Sequence, residues 1–135
     1  VIIKDIKLRK IIDSRGNPTV EADILTNDGF GRAAAPAGAS TGTFEAQAWP
    51  KNDANLGIKH AREKLIPSLI GISSIDQENF DNTIKEIDGT SNLQNVGGNI
   101  AVALSLACAK SAADSKNIPL FEHVSKTKSY SIPAP

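Results

Sequence analysis

The sequence predicts an α+β fold, a three-stranded antiparallel meander followed by a helical bundle. Two observations carry this expectation: apolar and polar residues alternate through the first third of the chain, and after Asn55 apolar residues recur at helical spacing. A stretch rich in small residues, with neither period, separates the two halves.

In the first strand Ile6 and Leu8 alternate with Lys7 and Arg9, and in the second Val20, Ala22 and Ile24 alternate with Glu21 and Asp23, so each strand has one apolar face. Asp13-Ser14-Arg15-Gly16-Asn17-Pro18 joins them. Asn27-Asp28-Gly29 is a hairpin signal ahead of a third strand within Phe30 to Pro36. From Pro36 to Asn55 the residues are mainly Gly, Ala, Ser, Thr, Pro, Asn and Asp, which reads as one long loop. Loops of that length inside compact domains commonly act as lids or binding segments.

Beyond it, Ile58, Ala61, Leu65 and Leu69 share one helical face, and Phe80, Ile84 and Ile87 share another behind the capping-box-like Ser74-Ile75-Asp76-Gln77. Asn99 to Ser115 is apolar nearly all round and is expected to be a central helix covered on several sides. Pro119 opens a last short helix through Leu120, Phe121 and Val124. Residues 1–130 form one expected domain, and 131–135, ending Pro133-Ala134-Pro135, read as the start of an extended linker. The chain opens at Val1 without methionine, so a piece of a longer polypeptide is expected.

Composition narrows the function. The 135 residues are 40% hydrophobic and 22% charged, as in a soluble globular domain, and 15 basic residues balance 15 acidic ones. A net charge of zero gives no field to attract nucleic acid or an anionic membrane, so neither partner is expected. The single cysteine, Cys108, has no intrachain disulfide partner and reads as a small core residue, which points to a reducing, cytoplasmic setting. These residues do not open on a basic-then-apolar leader, and the uncharged stretch Leu93 to Ala109 is broken by polar residues, so neither secretion nor membrane insertion is expected.

Three motifs invite chemistry. Gly38-Ala39-Ser40-Thr41-Gly42 has the spacing of a G-x-S-x-G nucleophile elbow, but that elbow needs a strand feeding directly into a helix, and Trp49-Pro50-Lys51-Asn52-Asp53 follows too soon. Its histidine would have to be His60, among Lys59, Arg62 and Glu63 on an expected solvated face, or His123, behind Glu122. A phosphate-binding P-loop requires lysine and Ser or Thr after its last glycine, whereas Thr43 and Phe44 follow Gly42. Gly29-Phe30-Gly31 lacks the third glycine and the helix of a dinucleotide fingerprint. What remains is a small-residue loop whose Ser40 and Thr41 hydroxyls and carbonyl oxygens suit a hard cation such as Mg²⁺.

That loop does not stand alone. Asp13-Ser14-Arg15-Gly16-Asn17-Pro18-Thr19-Val20-Glu21, Pro36-Ala37-Gly38-Ala39-Ser40-Thr41-Gly42 and Glu45-Ala46 resemble the ordered amino-terminal signatures of enolase. The resemblance continues through Leu69-Ile70-Gly71, Asp88-Gly89-Thr90, Gly98-Asn99 and Asn117-Ile118-Pro119-Leu120-Phe121, and so covers essentially the whole chain. It implies an α+β capping domain on a larger α/β barrel that these residues do not include. It also implies a lid, Ala39, Ser40 and Thr41, that closes over substrate, with Ser40 a ligand of the second of two catalytic Mg²⁺ ions.

The implied reaction is reversible dehydration of 2-phosphoglycerate to phosphoenolpyruvate, in which two metals stabilise an enediolate formed by a lysine base and a glutamate acid assists hydroxide departure. Those groups would lie in the barrel, so no catalytic residue is expected within this chain. Glu21, and with it Arg9 and Arg15, resembles positions near the family's subunit contacts, implying a homodimer or larger homo-oligomer. Trp49-Pro50 departs from the charged, glycine-containing segment usual after the lid. Two other readings share these features: a capping domain of a different enolase-superfamily enzyme, and a non-catalytic interaction module.

Overall fold

The computed structural model describes residues 1–36, 38, 40–127, 129–132 and 134. Three strands, β1 (Ile3–Ile12), β2 (Pro18–Thr26) and β3 (Phe30–Ala34), pair antiparallel in the order β1-β2-β3. The expected meander is therefore present. Asp13 sets the first turn, its Oδ1 accepting from the N–H groups of Arg15 (2.9 Å) and Asn17 (2.8 Å). Thr26 sets the second, its hydroxyl accepting from the Gly29 N–H at 2.8 Å.

The apolar alternation points one sheet face at the helices: Ile6, Leu8, Val20, Ala22, Ile24 and Ala33 are all buried. On the opposite face Arg9, Glu21, Asp23 and Arg32 form an ion-pair network. Arg9 Nη1 reaches Glu21 at 2.6 Å and Arg32 clasps Asp23 with two bonds of 2.6 and 2.8 Å. The Arg32 hydrogen bonds, which outweigh the effect of burial, hold the Asp23 carboxyl below the usual carboxylate range.

The helical layer comprises α1 (Ala54–His60), α2 (Ile66–Leu69), α3 (Gln77–Asp88), α4 (Gly98–Ser115) and α5 (Leu120–Val124). Ile58, Ala61, Leu65 and Leu69 bury one stripe, as their spacing predicts. They do not sit on one regular helix, however: Ala61–Leu65 is a wider π turn linking α1 to α2. Pro67 brings no N–H to the preceding turn, and the wider winding immediately before it accommodates that missing donor.

α3 starts at Asp76, whose carboxylate accepts from the Asn79 N–H, and not at Ser74, which the capping-box spacing suggested. Ser74 is instead buried beneath α4, where its carbonyl meets the Cys108 thiol at 3.5 Å. Gln77 turns toward α4 and donates to the Ser105 hydroxyl at 3.1 Å.

α4 lies along β2 and β3 and buries Ile100, Ala103, Leu104, Ala107, Cys108 and Ser111. Its close approach explains two glycines. A Cβ on Gly31 would fall 2.0 Å from the Ala107 carbonyl oxygen, and one on Gly29 would fall 2.5 Å from that of Ser111. Backbone thus packs on backbone there, and this is the role of the Gly29-Phe30-Gly31 motif. α4 is covered on several sides, as expected, and open on one: Val102 and Leu106 remain 45% and 41% exposed, in the gaps α3 and α5 leave beside it.

Candidate functional site

The small-residue loop leaves the sheet after β3 and returns to the helices at a 3₁₀ turn, Pro50–Asn52. Its first foot is Ala35, which is buried; its N–H donates to the Val20 carbonyl at 3.0 Å, and its own carbonyl accepts from the Thr19 hydroxyl at 2.6 Å. The second foot is built from Gln47 to Pro50. The Gln47 N–H donates to the Asn92 carbonyl (3.1 Å), while the Gln47 and Ala48 carbonyls accept from the Gly98 (2.7 Å) and Asn99 (3.3 Å) N–H groups. Those two N–H groups belong to the first turn of α4, which no side chain caps, so loop carbonyls satisfy donors that a helix start otherwise leaves open.

Trp49 packs partly buried against the core and Pro50 is buried, its ring 2.9 Å from where a Gly57 Cβ would stand. The departure at Trp49-Pro50 is thus an apolar anchor. Gly97, at φ 91°, passes beneath this foot so closely that a Cβ would lie 2.7 Å from the Ala48 oxygen.

Between the feet, Gly38, Ser40, Thr41, Gly42, Thr43, Phe44 and Glu45 are all exposed. Phe44 has no shelter at all, at 101% relative exposure. Glu45 closes a small turn, its carboxylate accepting from the Gly42 N–H at 2.9 Å while its N–H donates to the Gly42 carbonyl at 3.2 Å. Ser40 and Thr41 are therefore held from both ends and presented to solvent. Ala39, the third lid residue expected from the resemblance, lies outside the described residues, as do Ala37 of the same motif and Pro133 and Pro135 of the expected linker.

The loop supplies oxygen donors of the kind a hard cation takes, the Ser40 hydroxyl and exposed carbonyls. No group of three His, Cys, Asp or Glu side chains able to hold a metal occurs among the described residues. A serine hydroxyl could take one position in a hard-cation shell and would bring no negative charge to it.

Neither histidine side chain hydrogen-bonds to the described residues of the loop. His60 is not on a solvated face: it is half-buried on α1, its Nε2 buried and without a partner among the described residues. His123 Nδ1 faces Lys116 Nζ at 3.3 Å, and burial, reinforced by that lysine, pulls its pKa below the ordinary value.

The sequence reading gave no role to Asp88, whose Oδ1 accepts from the Asn95 and Val96 N–H groups in the segment between Asn92 and Gly97. The signal was available in Asp88-Gly89-Thr90, where a carboxylate precedes a left-handed glycine and a hydroxyl. Glu21 and Arg9, expected near a subunit contact, pair with each other within the chain, and Arg15 is exposed on the β1–β2 turn.

A meander with a helical layer, bearing a small-residue loop pinned at both feet and exposed at its tip, defines an α+β domain. Residues 3–124 match the family described as "Enolase, N-terminal domain". The chain is 50% identical over 134 residues to the enolase of Methanosphaera stadtmanae, covering 99% of this chain and 32% of that protein. It is 49% identical over 134 residues to the enolase of Methanothermobacter thermautotrophicus, with the same coverage. With the enolase of Methanocorpusculum labreanum it shares 55% identity over 123 residues, 90% of this chain and 30% of the relative. The chain belongs to the enolase family as its amino-terminal domain, and it spans about a third of the length of the curated relatives it matches. Among the described residues, no helix is long and apolar enough to cross a membrane.

Proposed function

We propose that this domain carries the active-site lid of a Mg²⁺-dependent enolase that interconverts 2-phosphoglycerate and phosphoenolpyruvate, working against its own carboxy-terminal barrel in a cytoplasmic homodimer or larger homo-oligomer. The observation that carries the reading is the Ser40-Thr41 tip, exposed between two anchored feet in a chain about 50% identical to proteins named enolase.

Ser40 would offer its hydroxyl and backbone oxygen to the second of two Mg²⁺ ions, with Ala39 and Thr41 lining the closed lid. When bound, those ions supply positive charge against which an enediolate is stabilised. What this chain adds is placement. Its anchored feet restrict where the tip can travel, and a closed tip excludes water from the reacting carboxylate. Glu45, engaged with the Gly42 N–H, shapes the tip and is not assigned as a ligand. By the resemblance, Glu21, with Arg9 and Arg15, would lie near the subunit contact of that oligomer.

Two outcomes are expected. The 135-residue chain alone should give no detectable phosphoenolpyruvate from 2-phosphoglycerate at saturating Mg²⁺, since the proton-transfer groups are not among its residues; measurable turnover would refute this assignment. In a longer polypeptide carrying the barrel, Ser40→Ala should raise the Mg²⁺ concentration giving half-maximal turnover by about tenfold. Its thermal midpoint should stay at the wild-type value, because an exposed loop hydroxyl supports no core packing. Unchanged metal dependence would remove Ser40 from the metal shell.

A further inference from the structure

Residues 89–97 contribute nothing to the exposed tip, yet they form the seat of its second foot. Asp88 is 2% exposed, and its carboxylate accepts four hydrogen bonds. Oδ1 takes the N–H groups of Asn95 (2.8 Å) and Val96 (2.7 Å), and Oδ2 takes the Thr90 N–H (3.0 Å) and the Thr90 hydroxyl. Asn95 returns a bond from its side-chain amide to the Asp88 carbonyl at 2.8 Å. The segment wrapped round this carboxylate holds out the Asn92 carbonyl to Gln47 and leads through Gly97 to the Gly98 and Asn99 N–H groups that seat Gln47 and Ala48.

We propose that Asp88 is a positioning residue for the loop: by ordering residues 90–97 it fixes the seat of Gln47 and Ala48, and so the reach of Ser40 and Thr41. Two observations separate this from a role in ending α3. Gly89, at φ 68°, already closes that helix through its N–H to the Lys85 carbonyl at 2.9 Å. And every donor to the Asp88 carboxylate comes from the segment leading to the foot, none from α3. The other foot, Ala35, is held by β2 through Val20 and Thr19, so losing the Asp88 clasp frees one end only. The effect on catalysis rests on the lid assignment above; the effect on the foot does not.

Trp49 is the only tryptophan and stands in the foot, so its fluorescence reads the docking directly. Asp88→Asn removes acceptor capacity at nearly constant volume. Thr90→Val is milder, deleting the hydroxyl that donates to Asp88 and accepts from the Gln94 N–H at 3.0 Å. In this chain, at a temperature where far-UV ellipticity stays native, both variants should shift Trp49 emission to the red and raise its acrylamide quenching constant about twofold through local opening.

Ile84→Val, a buried core change on α3 outside the clasp, should leave Trp49 at wild-type values. If Asp88→Asn does not fold, Thr90→Val decides. Wild-type quenching in a natively folded clasp variant, or an equal change in Ile84→Val, would overturn the proposal. In a longer polypeptide carrying the barrel, the clasp variants should also raise the half-maximal Mg²⁺ concentration about tenfold. Absence of 2-phosphoglycerate turnover in the unmutated longer protein would sink the lyase reading and leave the Trp49 result to stand or fall alone.

Discussion

Gly31→Ala is expected to destabilise the domain by about 4 kcal/mol or more, a large part of the 5–15 kcal/mol that holds a typical domain together. The added Cβ would lie 2.0 Å from the Ala107 carbonyl oxygen and 2.5 Å from the Ser111 nitrogen, both in the backbone of α4. A side chain in the way can change rotamer, whereas a helix backbone can yield only by shifting as a body. Lifting α4 off β3 would loosen Ala103 and Ala107, which are completely buried, along with the β2 contacts that flank them. Urea unfolding followed by circular dichroism should show a much lower midpoint. Gly16 provides the comparison: its φ of 82° strains alanine, but nothing lies within 4 Å, so Gly16→Ala should cost only about 1 kcal/mol. Equal midpoints for the two variants would mean that the helix is not seated on the strand as described.

Asp88→Ala should cost about 4 kcal/mol, because it strands three backbone N–H groups and a hydroxyl that now converge on one buried carboxylate. Burial alone would raise this carboxyl's pKa. The bonds from the Thr90 hydroxyl and from the Val96, Asn95 and Thr90 N–H groups together outweigh burial and hold it below the usual range. The sign of the pH effect follows. A carboxyl whose pKa is depressed in the folded state contributes its stabilisation fully above its unfolded value of about 4, and loses it as pH falls through the folded value. The stability gap between wild type and Asp88→Ala should therefore be widest near neutrality and narrow below about pH 4. Asp23, also depressed, retains its own acid sensitivity in both proteins. A gap independent of pH would show that Asp88 acts through shape and not through charge.

Much of this fold was legible because two periods dominate it. The alternation around Ile6, Leu8, Val20, Ala22 and Ile24 has a period of two and names the buried sheet face directly. The spacing of Ile58, Ala61, Leu65 and Leu69 names a helical face in the same way, yet it is blind to the π turn, because a widened turn still returns its residues to roughly the same side. Ser74 misled because its spacing fits a cap, while the helix took the nearer Asp76 and left Ser74 under α4.

The exposure of Val102 and Leu106 was hidden for a different reason. An all-apolar helix advertises burial but not which neighbours supply it. At the candidate site, Ser40 and Thr41 could be picked out by resemblance, whereas the second foot could not. Trp49-Pro50, Gly57 and Gly97 meet only after α1 and α4 have been placed, and no local pattern announces contact between residues so far apart in sequence.

The Cys108 thiol lies on the buried side of α4, with no exposed surface, its proton directed at the Ser74 carbonyl and its pKa pushed up to about 12 by burial. The chain contains no methionine, so this is its only sulfur. Peroxides and electrophiles attack thiolates and thioethers that they can reach, and the folded domain offers neither. Sulfur oxidation and alkylation can then start only once α4 has separated from the segment around Ser74, so resistance to redox damage at this atom is set by the opening rate of the fold.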